Sequence, residues 1–288
     1  MPSLRSTSTA NRRQGAIGAT PDTSRHRARG AFASMLFAAV IAAEAADVPA
    51  RVEASADAPL GAELVRPGLY RIGNADGSVL LRAGSNGLVV VDSGRPGSYR
   101  AVMTEIERVA KTASPPIRAL VLTASGAEQA GNVAQFVEAG VPVIVQQRAY
   151  ARLAGDAPAV RAPGPTAFVT YDTDYLLRVG DVAIEVEHVG RGRTGADSIV
   201  VFRDLRVVAV GELFTAGTPE PDCAAGGSFA GWSAAIDHLL WSDFDVVVPS
   251  RGAPVGKHEL ATLKAKLDAL AARAASSPSG PSDCRPQR

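Results

Sequence analysis

Between residues 65 and 275 the apolar positions change period repeatedly, and the changes mark alternating strands and helices. Strand-like segments run at Gly68–Ile72, Ser78–Ala83 and Leu88–Asp92, separated by the turn-forming stretches Asn74-Ala-Asp-Gly77 and Ser85-Asn-Gly87. After Pro96, Val102, Ile106, Val109 and Ala110 recur at helical spacing. Ile117–Thr123 and Val141–Val145 are continuous apolar runs of buried-strand length, and Gly131–Gly140 between them reads as a short helix. The second half repeats the rhythm. Tyr175–Val179 and Val182–Val189 alternate like a hairpin turning at Gly180-Asp181, and Ser198–Arg203 and Leu205–Val210 form another through Asp204. Phe229–Trp241 then predicts a helix, Asp245–Pro249 a strand, and Lys257–Ala275 a long amphipathic helix with Leu260, Leu263, Leu267 and Leu270 on one face. Two successive halves of this kind predict an α/β (α+β) protein in which two sheets pack together with helices outside, an αββα sandwich.

Composition adds the ends of the chain. Of 288 residues 46% are hydrophobic, enough for one sizeable core, and only 5% are aromatic, which suits Val-rich strands and Ala-rich helices. Residues 1–30 hold six basic side chains against the single acid Asp22, and an apolar run from Ala31 leads to Ala43-Glu44-Ala45. A basic region, a short apolar stretch and a small-x-small site make residues 1–45 a secretory signal, so the chain is expected to be exported, to a bacterial periplasm. A basic tail running into an Ala-rich helix is the other reading of the same residues. The apolar run is too short to span a bilayer comfortably and no second one follows, so no stable membrane span is expected after cleavage. Residues 46–64 read as a linker, 65–275 as the folded domain and 276–288 as a disordered tail. Removing 1–45 takes six basic and two acidic residues from 30 and 29 and leaves a net charge of −3, which offers no footprint for nucleic acid. Cys223 and Cys284 could pair or remain thiols, and neither has the spacing of a metal site.

The chemistry of such a fold sits in loops at the strand ends. Five of these loops, in order, carry a resemblance: Asn86-Gly-Leu-Val-Val-Val-Asp92-Ser-Gly94, Ala119-Leu-Val-Leu-Thr123-Ala-Ser-Gly-Ala-Glu-Gln-Ala-Gly-Asn132, Gly190-Arg-Gly-Arg-Thr-Gly-Ala-Asp197, Val210-Gly-Glu-Leu-Phe214 and Val246-Val-Val-Pro-Ser-Arg-Gly252. They resemble, respectively, the D-[ST]-G, T-H-x-H-x-D-H-x-G-N, G-x-x-H-T-x-x-D, G-D-x-F and V-[IV]-P-G-H-G segments of the metallo-β-lactamase superfamily, most closely its exported branch associated with quinoprotein dehydrogenase systems. The resemblance covers roughly residues 65–270 and implies an αββα hydrolase holding one or two zinc ions. Carried over by position, the family's five histidine ligands fall on Ala124, Gly126, Gln129, Arg193 and Arg251, and its two aspartates on Glu128 and Glu212. All five imidazoles are replaced, and each aspartate has become the longer Glu.

Zinc takes N, S or carboxylate O donors. Ala124 and Gly126 offer no side-chain donor, Gln129 is a weak neutral one, and the guanidinium groups of Arg193 and Arg251 repel a cation. No zinc cofactor is therefore expected, and the pocket formed by Asp92, Ala124, Gly126, Glu128, Gln129, Arg193, Asp197, Glu212 and Arg251 reads as vestigial. Without metal, Glu128 and Glu212 repel one another, and Arg193 and Arg251 could neutralise them as an ion-pair cluster. His188, His238 and His258 read as surface or packed residues, Trp232 as core, and Asp92, Thr123, Gly131, Asn132, Thr194 and Asp197 as loop-shaping residues. Three functions fit. The first is a non-catalytic pseudo-hydrolase, a periplasmic binding or accessory protein that takes a small anionic ligand or a protein partner. The second is a hydrolase of esters, thioesters or lactams with altered metal binding through Glu128, Glu212 and Asp92. The third is a metal-independent enzyme with Glu128 or Glu212 as general base, for which Ser125 is a poor nucleophile.

Overall fold

Runs of Val, Ile and Leu pair into two sheets, and side-chain alternation along the strands builds the layers above and below them. The computed structural model describes residues 59–74, 77–113, 115–156 and 167–276. The signal at 1–45, most of the linker at 46–64, the tail beyond Ser276 and Cys284 lie outside the described residues. One sheet contains β1 (Gly61–Arg66), β2 (Leu69–Asn74), β3 (Gly77–Gly84), β4 (Gly87–Val91), β5 (Ile117–Val121), β6 (Val143–Gln146) and β7 (Phe168–Tyr171), paired in that order. Its first four strands are antiparallel, and β4 to β7 run parallel. The other sheet contains β8 (Asp174–Val179), β9 (Val182–His188), β10 (Ser198–Phe202), β11 (Val207–Gly211) and β12 (Val246–Pro249). It is antiparallel except for the β11–β12 pair.

The helices are α1 (Tyr99–Ala110), α2 (Ala127–Ala130), α3 (Val133–Glu138), α4 (Gln147–Asp156), α5 (Phe229–Trp241) and α6 (Lys257–Ser276). Alternate residues of one strand enter different cores, because successive side chains point to opposite sheet faces. In β5, Leu120 packs with Val102, Ile106 and Phe136 under α1 and α3, while Ala119 and Val121 join Ile184, Val186 and Phe202 between the sheets. In β11, Val207 and Ala209 point into that central layer, and Val208 and Val210 pack with Trp232, Ile236, Leu260 and Leu263 under α5 and α6. Three apolar layers separated by two sheets make the αββα sandwich expected of the chain.

Several elements differ from the sequence reading. β1 begins at Gly61, inside the span read as linker, since Gly61–Leu64 pair with β2 through backbone hydrogen bonds and need little apolar content. The helix read over Gly131–Gly140 is α3 at Val133–Glu138, and a further short helix, α2 at Ala127–Ala130, precedes it across a break at Gly131-Asn132. A Cβ on Gly131 would lie 2.4 Å from both the Pro96 nitrogen and the Ala127 carbonyl oxygen, so the chain turns there against its neighbours. α4 and β7 are additional. The remaining strands and helices fall within a few residues of their expected places, and α5 matches end to end. Among the described residues, no helix is long and apolar enough to cross a membrane.

Candidate functional site

Strands β4, β5, β11 and β12 release their loops toward one edge, and backbone hydrogen bonds lock these loops together. Asp92 N donates to Val121 O at 2.8 Å, Ser250 N to Gly211 O at 2.9 Å, and Ser198 N to Thr123 O at 2.8 Å, the last joining the two sheets. Asp92 sits at φ 62°, a left-handed backbone that Asp tolerates better than most residues. Its carboxylate accepts from Thr123 N at 2.8 Å and from Thr123 Oγ1 at 2.8 and 3.0 Å. Burial pushes the Asp92 carboxyl up to about 7, against those Thr123 hydrogen bonds, and Glu212 adds to the rise. Asn132 holds the opposite side of the same loop, with Nδ2 donating to Ser93 O at 2.7 Å and Arg95 O at 2.8 Å.

The Gly190–Asp197 loop is fixed in the same way. Asp197 accepts from Thr194 N at 2.6 Å and Thr194 Oγ1 at 2.8 Å, and burial raises its carboxyl above the usual range. A long loop over residues 215–228 packs on this one, since Asp222 N donates to Arg193 O at 2.7 Å and Ser228 N to Gly192 O at 3.0 Å. Gly227 is required at that contact, where an added Cβ would stand 2.1 Å from Arg193 O. Trp232 is buried as expected, and its Nε1 donates to Leu213 O at 2.8 Å, which steadies the turn carrying Glu212.

At this edge lies a cavity of about 410 Å³, lined by Arg193, Glu212, Phe214, Trp232, Arg251 and the 215–220 loop with Glu220, among others. Arg193 Nη1 bonds Glu212 Oε2 at 3.0 Å, with side-chain exposures of 35% and 13%. Arg251 grips Glu128 with two nitrogens, its Nε donating to Oε2 at 2.5 Å and its Nη2 to Oε1. Both arginines therefore lie on glutamates across loops that are far apart in sequence. Burial raises the Glu212 carboxyl above the usual range; Arg193 draws it down, Glu128 and Asp197 push it up, and Arg251 draws it down again.

The nine positions read from the sequence as a vestigial pocket do not share one surface. Arg193, Glu212 and Arg251 line the cavity, and Glu128 reaches it through Arg251. Gly126 lies just behind, where a Cβ would stand 2.7 Å from Gln129 Oε1 and 3.4 Å from Glu212 Oε2. Asp92, Ala124, Gln129 and Asp197 are buried beneath. Gln129 Nε2 donates to Ser250 Oγ at 2.9 Å, and its Oε1 is buried without a hydrogen-bond partner. None of the three histidines lines the cavity. His188 Nδ1 is 2.8 Å from Asp197 O, His238 Nε2 is 3.4 Å from Glu187, and His258 is exposed on α6. The 215–220 wall escaped the sequence reading because an irregular loop has no period; the Gly226-Gly227-Ser228 run before α5 was its one signal.

These residues do not fit zinc. The donor set in front of Gly126 is an amide oxygen of Gln129 and a Glu212 oxygen already bonded to a guanidinium, and both Asp92 oxygens are committed to Thr123. Among the described residues, no three His, Cys, Asp or Glu side chains converge as metal ligands.

Comparison with known proteins agrees with this architecture. No family model matches the sequence, and no curated protein matches it. Among solved structures, a metallo-β-lactamase from Pontibacter korlensis is 21% identical with a TM-score of 0.63, the match covering 73% of this chain and 99% of that one. A metallo-β-lactamase from Pseudomonas aeruginosa, crystallised in its mono-zinc form, is 15% identical with a TM-score of 0.61, over 74% and 97% of the two chains. One from Hirschia baltica is 16% identical with a TM-score of 0.58, over 73% and 98%. At these identities the likeness is one of fold, and the chain has the metallo-β-lactamase fold.

Proposed function

We propose that this metallo-β-lactamase-fold protein is a non-catalytic binding protein, in which Arg–Glu ion pairs have replaced a zinc centre and the cavity receives a small ligand bearing an anionic group. The observation that carries the reading is the pairing of Arg193 with Glu212 and of Arg251 with Glu128, at four positions to which the sequence resemblance assigns metal ligands. A guanidinium stays protonated under ordinary conditions, so each pair holds a fixed cation, balanced by its glutamate, where a hydrolase of this fold keeps its metal. Neither arginine can activate water as a bound metal does. Both line the cavity, where a guanidinium is a group that can bind an incoming carboxylate or phosphate. We also propose export through the leader at residues 1–45, to a periplasm in a bacterial source, a reading that the N-terminus of the mature chain decides.

Metal content and zinc titration test the functional reading. The protein purified without chelator is expected to hold substoichiometric zinc, and calorimetry with added zinc to give no tight binding. One equivalent of tightly held zinc would overturn it in favour of a metallohydrolase with altered ligands.

A further inference from the structure

The charges lining the cavity are balanced. Arg193, Arg251, Glu212 and Glu220 all line it, and each arginine already carries a glutamate, Glu212 on Arg193 and Glu128 on Arg251. A ligand bearing only an anion must draw a guanidinium off its glutamate. At Glu212, whose side chain is 13% exposed, that leaves a largely buried carboxylate without its counter-charge. A ligand bearing only a cation competes with Arg193 for the same carboxylate and leaves a guanidinium unpaired instead. A ligand bearing both charges exchanges into the network, its carboxylate taking Arg193 while its ammonium takes the Glu212 carboxylate that Arg193 releases, and the Arg251–Glu128 pair stays intact. Glu220 offers a second seat for the ammonium, since it lines the cavity, is exposed, and has no ion pair among the described residues. Phe214 and Trp232 add apolar lining to the cavity.

We infer that the cavity takes a small zwitterion, an amino acid or short ω-amino acid, with its carboxylate on Arg193 and its ammonium on Glu212 and Glu220. This rests on the binding reading above and narrows it, because discrimination comes from the unpaired charge that a singly charged ligand would leave behind.

Calorimetry with matched probes tests it. The sets are L-phenylalanine, 3-phenylpropanoate and 2-phenylethylammonium; L-leucine, 4-methylpentanoate and 3-methylbutylammonium; and 4-aminobutanoate, butanoate and butylammonium. In at least one set the zwitterion is expected to bind at least about ten-fold more tightly than both singly charged partners. Glu220→Gln is expected to weaken that zwitterion several-fold while leaving the matching carboxylate unchanged. A carboxylate binding as tightly as its zwitterion in every set that binds would overturn the inference while leaving the binding reading in place. No binding by any zwitterion would overturn the inference, and no binding together with stoichiometric zinc would overturn both.

Discussion

Arg193→Met removes the cation from the more buried of the two ion pairs while keeping an unbranched side chain of comparable length. In the native protein Arg193 Nη1 is 3.0 Å from Glu212 Oε2, a gross attraction of about 5 kcal/mol at an effective dielectric near 20. Desolvation offsets much of that, and breaking a fully buried pair costs about 3–5 kcal/mol because the remaining charge is stranded. Arg193 is 35% exposed, so solvent screening reduces the expected loss to about 2 kcal/mol. The matched control is Arg251→Met, whose arginine is 61% exposed and whose loss should stay below about 1 kcal/mol. The cost of Arg193→Met should also depend on pH. Burial already raises the Glu212 carboxyl above its ordinary 4.5, and removing Arg193 raises it further. A raised carboxyl contributes stability that is present below its unfolded value and lost as pH rises through the folded one. The variant should therefore be nearer the parent at pH 5 than at pH 8, and Arg193→Met/Glu212→Gln should recover much of the loss. Urea unfolding of the four proteins at both pH values measures this. Equal losses for the two arginine variants, or a loss at Arg193 that does not change with pH, would refute the reasoning.

The other predictions concern the loops beneath. Asp92→Asn keeps an oxygen for the Thr123 N–H and suits φ 62°, but it cannot ionise. Asp92, raised from 3.8 to about 7, contributes stability that is lost as pH climbs through that window, at up to about 1.4 kcal/mol per pH unit. The variant should therefore gain on the parent between pH 5 and pH 8 in urea unfolding, and an unchanged difference would contradict the assignment. Gly131→Ala places a methyl 2.4 Å from backbone atoms of Pro96 and Ala127 that cannot swing aside. It should cost about 1–3 kcal/mol in the same measurement, and a neutral result would mean that the α2–α3 break relaxes freely.

What the residues determined by themselves was the succession of elements and the absence of histidine at the positions to which the resemblance assigns metal ligands. Val-rich runs, turn pairs and the leucine stripe of α6 are local patterns, set by side-chain period and turn chemistry that no distant contact needs to supply. That is why α5 and the two hairpins fall where the pattern puts them, while β1, held by backbone pairing with β2, left little apolar trace. The pairing of the arginines was another kind of fact. Arg193 and Glu212 lie 19 positions apart, and Arg251 and Glu128 lie 123 apart. Charge counting could say that two cations and two carboxylates should meet, but not which would take which. The tertiary structure decided it by bringing the β5, β11 and β12 loops and the one before β10 to one edge. It also settled how deeply each partner is buried, and burial is what makes one pair strong, leaves the other near the solvent, and lifts Asp92 and Glu212 out of the ordinary carboxylate range.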